Sequence, residues 1–111
     1  MIHKEVVEKK EAKKVRLIRN EATKKAKKVA ALLKKKYKAK KVILFGSLVS
    51  NDYLHEKTDI DILVEGMNIN DILKAGFEAC LIAAPFDVDI IQAEKADKCL
   101  LKNALNEGIE I

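Results

Sequence analysis

Four carboxylates and one Gly-Ser pair stand out by spacing. Asp59 and Asp61 fall in the run Thr58-Asp59-Ile60-Asp61-Ile62-Leu63-Val64, and Asp87 and Asp89 fall in Phe86-Asp87-Val88-Asp89-Ile90-Ile91. In an extended strand, side chains two positions apart share a face, so each pair projects to one side among apolar neighbours. Like charges that close repel, and an apolar strand normally places core residues there. A hard divalent cation answers the repulsion, because Mg2+ prefers carboxylate oxygens and completes its shell with water and phosphate. Gly46-Ser47 follows the apolar run Val42 to Phe45. Glycine lets a phosphate come close to the backbone, and serine adds a hydroxyl and an N–H where a helix could begin. Either half alone reads as an ordinary turn or a charged strand end; joined by one short loop, they read as a site.

The elements that must hold these residues follow from pattern. Residues 4–38 contain no Gly or Pro, and Val15, Ile18, Ala22, Ala26, Val29, Leu33 and Tyr37 recur at helical spacing. This predicts an amphipathic helix, or two meeting near Asn20 to Thr23, too long for a small domain to cover along its whole length. A second helix is expected from a cap at Asn68 or Asn70 to about Ala84, with Ile72, Leu73, Phe77, Cys80, Leu81 and Ala84 as its core face and Pro85 as its stop. A last helix is expected over Ala93 to Asn106, with Leu100, Leu101, Ala104 and Leu105 inward and Gly108 as its C-cap. The fold class is therefore α/β (α+β), a small mixed sheet packed with helices behind a long basic N-terminal helix.

Charge divides the 111 residues. Residues 1–41 hold 17 Lys and Arg against 4 Glu, a net of +13, whereas residues 42–111 are net −8. The lysine pairs of the first helix resemble a phosphate-neutralising footprint, which keeps nucleic acid among the partners. With acidic residues interleaved and Tyr37 as its one aromatic, that face reads first as a solvated surface. Cys80 and Cys99 lack zinc spacing and are expected as buried free thiols. No apolar run is long enough to span a membrane, and a cytoplasmic protein is expected.

Gly46-Ser47, an 11-residue spacer from Leu48 to Thr58, and the Asp59-x-Asp61 strand resemble the nucleotidyltransferase superfamily, in particular its small stand-alone members, the minimal nucleotidyltransferases. The likeness runs from about Lys35 to the C-terminus, dividing the chain into a basic helical part, 1–34, and a nucleotidyltransferase domain, 35–111. It implies transfer of a nucleoside monophosphate from a triphosphate, with ATP expected as donor, to a protein or nucleic-acid acceptor, with a pair of Mg2+ ions. By the same resemblance Asp59, Asp61 and Asp89 hold metal and act in catalysis, Asp89 also as base, and Gly46 and Ser47 bind nucleotide. Asp87 is the rival third carboxylate. Relatives commonly carry a basic residue shortly after Gly-Ser, where this chain has Leu48, Val49, Ser50 and Asn51; Lys57 or a lysine of Lys38 to Lys41 would have to replace it, and His55 could donate to phosphate. Small members pair with helical HEPN toxins as antitoxins, which implies a HEPN-type partner, with the basic helix as a docking element. A non-catalytic binding antitoxin or nucleotide sensor is the alternative, and association of like chains stays open.

Overall fold

The computed structural model describes residues 2–49 and 59–111, with side chains from residue 13 onward. Helix α1, Ile2–Lys35, is unbroken. Nothing near Asn20 to Thr23 interrupts it, because Ala22 is wholly buried there and continues the inward stripe of Ala26, Val29 and Leu33. At about 1.5 Å per residue such a helix approaches the molecule's longest dimension of 55 Å. It ends in a turn where Lys38 takes φ 60° and the Ala39 N–H returns to the Leu33 carbonyl at 3.0 Å.

The chain then forms β1 (Lys41–Phe45), a 3₁₀ turn over Gly46–Leu48, β2 (Ile60–Glu65), a second 3₁₀ turn over Ile69–Asp71, α2 (Ile72–Ala83), β3 (Val88–Gln92), α3 (Lys98–Glu107) and β4 (Ile109–Glu110). The sheet order is β3-β2-β1-β4. β1 pairs antiparallel with β2 and β4, and β2 pairs parallel with β3, so the sheet is mixed as expected. The parallel pair needs a crossover, and α2 supplies it.

Alternation sorts the strands into two faces. Val42, Leu44, Ile60, Ile62 and Val64 join α1 and α2 in the main core, while Ile43 and Leu63 pack with Ala104 of α3 on the other side. The sheet is thus a layer between helices, and Asp61 belongs by period to the side of Leu63.

Four expectations are corrected. In α2 the inward residues are Ala75, Ala79 and Ala83, all fully buried, whereas Leu73, Phe77 and Leu81 are 88%, 68% and 65% exposed. Alanines on α2 meet Ala22, Ala26 and Ala30 of α1 in one cluster, and small side chains on both helices allow a close approach that larger ones would prevent. Tyr37 and Lys36 then reach across to Glu78 at 2.6 and 2.7 Å. The last helix starts later than expected, since Ala93–Lys95 is a separate 3₁₀ turn and Asp97 Oδ1 accepts the Leu100 N–H as N-cap; Leu105 is half exposed. Gly108 does end that helix, but at φ −76°, which any residue adopts. Space is what it provides: a Cβ there would lie 2.3 Å from the Ala104 carbonyl and 2.5 Å from Ile43, and this close passage lets β4, unforeseen from sequence, pair with β1. Finally, Cys80 is half-buried and Cys99 exposed, so they are not a buried pair.

Candidate active site

The Gly-Ser turn and the Asp-x-Asp strand meet because β1 and β2 are antiparallel neighbours. Phe45, last in β1, stands opposite Asp61 in β2. The next residue, Gly46, has φ +80°, a conformation that side chains with a Cβ rarely adopt. A Cβ built on it would fall 2.3 Å from Asp61 Oδ2. The carboxylate of Asp61 therefore occupies the space above the turn. Ser47 follows in the 3₁₀ turn, half-buried, and the Val49 N–H closes it on the Gly46 carbonyl at 3.2 Å.

The parallel pairing brings in the third carboxylate. Asp89 of β3 is the register partner of Asp61, and Asp59 lies exposed just before β2. Neighbouring strands are about 4.8 Å apart, so the carboxylates of Asp61 and Asp89 are held near one another by backbone pairing. Burial pushes the Asp61 carboxyl above the usual carboxylate range, and the charges of Asp89 and then Asp59 push it further. Asp87 has a different place. It precedes β3, and its backbone carbonyl accepts the Ile60 N–H at 2.8 Å, serving the ladder that holds Asp89 in register.

Lys38, Lys40 and Lys41 lie at the other end of β1 from Gly46. The stem of Lys40 packs over Gly66, and Lys41 sits 3.7 Å from Glu110. They are not brought to the Gly-Ser turn. Ser50, Asn51, His55 and Lys57 lie outside the described residues. Among the described residues a cation the sequence did not single out reaches the turn: half-buried Arg19 of α1 donates from Nη1 to the Leu48 carbonyl. A signal was present, since residues 1–41 use arginine at 16 and 19 alone, and Arg19 lies one turn before Ala22 on the inward stripe. Arginine's planar fork suits a fixed, partly buried contact better than lysine.

Among the described residues no three His, Cys, Asp or Glu side chains close into a ready metal cluster. Mg2+ does not require one, since it is held by one or two carboxylates together with substrate phosphates. The donor set of Asp61 with Asp89 and Asp59, all hard oxygen ligands whose charges raise the Asp61 carboxyl, fits such an ion.

Residues 27–111 match the family described as polymerase beta, nucleotidyltransferase. The chain belongs to that nucleotidyltransferase family. Over 43 residues it is 51% identical to a Methanocaldococcus jannaschii protein named as a protein adenylyltransferase; the stretch covers 39% of this chain and 43% of that one, less than half of the relative. Two solved structures share the nucleotidyltransferase fold. One, described as a minimal nucleotidyltransferase, has a TM-score of 0.65 at 24% identity, covering 78% of this chain and 88% of that one. The other, the toxin–antitoxin MntA-HpeT in a variant with two Asp-to-Glu changes, has a TM-score of 0.62 at 21% identity, covering 77% and 70%. The matched family region begins after Arg19, so that contact lies outside the part of the chain the family describes. Among the described residues no helix is long and apolar enough to cross a membrane.

Proposed function

We propose that this nucleotidyltransferase-family chain transfers AMP from ATP, with Mg2+, to a hydroxyl of a partner protein, as the antitoxin of a pair whose other member is a HEPN-type toxin. The observation that carries the chemistry is Asp61 over the Gly46 turn, with its register partner Asp89 and Asp59 beside it. The protein adenylyltransferase relative supports AMP and a protein acceptor, and the MntA-HpeT likeness supports the setting.

Each residue has a task in that reading. Gly46 leaves its backbone open to phosphate, and Ser47 offers its hydroxyl and N–H to the β- and γ-phosphates. Asp59, Asp61 and Asp89 hold the metal. Bound Mg2+, as a pair of ions, would neutralise the triphosphate, orient the α-phosphorus and stabilise both attacking and leaving oxygens. The acceptor oxygen forms a bond to the α-phosphorus while the bond from that phosphorus to the bridging oxygen breaks. Pyrophosphate leaves, and the hydroxyl proton passes to Asp89, the exposed member of the register pair.

Label transfer from α-labelled ATP tests this, with the protein encoded beside this chain as acceptor. The Asp59→Asn, Asp61→Asn double variant should lose at least about 10²–10³-fold in rate, the scale on which removal of one charge-stabilising group registers. Equal labelling by both proteins would overturn the assignment. No label from either, with the partner still neutralised by both, would leave a binding antitoxin. The neutral Leu48 and Val49 after the Gly-Ser pair are what favour that second reading.

A further inference from the structure

Leu73, Phe77 and Leu81 recur at four-residue spacing on α2 and are 88%, 68% and 65% exposed, with Ile69 beside them at 52%. Isolated exposed apolar residues are ordinary, but a contiguous stripe of large ones marks a binding surface. The stripe borders an open groove of about 390 Å3 whose floor includes Gly76 and Cys80 of α2 and Val88, Asp89 and Ile90 of β3. The proposed catalytic carboxylate strand is therefore one wall of the groove.

Two further features say what fits there. β3 is the edge strand of the sheet. The Asp87 carbonyl turns toward β2, so alternation turns the backbone groups of Val88, Ile90 and Gln92 toward the open edge. The Val88 carbonyl receives the Cys80 thiol at 3.7 Å, a weak donor, and Ile90 lies beyond it. An open strand edge next to alternating apolar sites is how an extended peptide is received. Gly76 is the second feature. A Cβ there would meet nothing within 4 Å, although glycine inside a helix is unfavourable. Its absent side chain keeps the groove open. The β3 side of the groove is acidic, with Asp89 in its lining and Asp61 and Asp59 beside Asp89. Such a field favours a basic occupant and repels an acidic one.

We infer that this groove receives an extended, basic segment of the acceptor protein, which adds to the β3 edge, seats apolar side chains against Leu73, Phe77 and Leu81, and brings its hydroxyl to Asp89. The inference rests on the nucleotidyl-transfer reading for the purpose of the groove, but the groove is tested separately.

The probes are two fluorescent nonapeptides with a central Tyr flanked by alternating apolar and charged residues, one with Lys and one with Glu at the charged positions. The Lys peptide should bind saturably and the Glu peptide at least tenfold more weakly. Phe77→Asp, at an exposed site, and Gly76→Phe, which fills the groove, should each weaken Lys-peptide binding tenfold or more. Both variants should keep ATP·Mg2+ affinity within twofold and the wild-type melting temperature within a few degrees, and Gly76→Ala should melt higher than wild type. Equal peptide binding by wild type and Phe77→Asp would overturn the inference, as would a wild-type dimer that Phe77→Asp dissociates, since a second copy would then be the occupant. Absence of ATP·Mg2+ binding alongside Phe77-dependent peptide binding would sink the transfer reading and keep the groove. Transfer to a free tyrosine amide without any peptide binding would do the reverse.

Discussion

The two ends of strand β1 treat charge in opposite ways. At the Lys41 end two carboxylates have partners: Glu110 faces Lys41, and Glu94 accepts the Gly66 N–H at 2.9 Å, a bond that holds its carboxyl below the usual range. At the Gly46 end Asp61 is half-buried beside Asp89 and Asp59, and its carboxyl is pushed up. One end sets carboxylates against a cation and a backbone N–H, whereas at the other, among the described residues, carboxylates stand beside one another. Stability alone gives no reason to gather like charges in a sheet, and a carboxyl raised by burial and like charges marks a candidate site.

Predictions that break or sharpen this contrast begin at the turn. Gly46→Ala should cost about 1–3 kcal/mol, because it combines a backbone strained for alanine with a Cβ forced onto Asp61. ATP·Mg2+ binding should fall at least tenfold with it. Thermal unfolding and nucleotide titration would show both, and an unchanged melting temperature would mean that Asp61 moves aside freely. Next, Arg19→Ala should raise the KM for ATP about tenfold, the scale of losing a charged donor worth about 1.5–3 kcal/mol, and Arg19→Lys should recover only part of it. An equal drop in kcat with KM unchanged would remove Arg19 from the nucleotide side of the site.

The third prediction sets the two ends against each other. At neutral pH without metal, Asp61→Asn should raise the melting temperature and Glu94→Gln should lower it, and Mg2+ should stabilise wild type more than Asp61→Asn. Melts of the three proteins with and without the ion suffice. A smaller effect comes from the link between α1 and α2. Burial and the bond to Glu78 raise the Tyr37 hydroxyl to about 12, so the folded state keeps a proton that the unfolded chain releases near pH 10. Stability is then fully present below about pH 10 and declines as pH rises toward 12; Tyr37→Phe should abolish that alkaline decline while lowering the neutral-pH melting temperature slightly. Lys41→Ala should matter least, at about 0.5 kcal/mol or below, since an exposed ion pair is screened.

Much of this could be read in the sequence because it depends on near neighbours. Period two put Asp59 and Asp61 on one side of a strand, a Gly- and Pro-free run predicted the long first helix, and Gly46-Ser47 between two strands marked the turn. What stayed hidden depends on which distant residues meet. α2 carries two stripes, one of large apolar residues and one of alanines, and hydrophobicity ranked the first as core; the alanines of α1 selected the second, because only small residues let the two helices approach. That choice exposed Leu73, Phe77 and Leu81 and created the groove. Asp87 and Asp89 look alike in the chain; in the parallel register with β2, Asp89 is the partner of Asp61, whereas Asp87 precedes β3. Arg19 and Leu48, which ends the Gly-Ser turn, are 29 positions apart, and the docking of α1 on the sheet joined them. The sequence by itself determined the chemistry on offer, because residue type and short-range period need no partner. Only tertiary structure decided which side chains were brought together and which face was left open, because those are properties of contacts between elements.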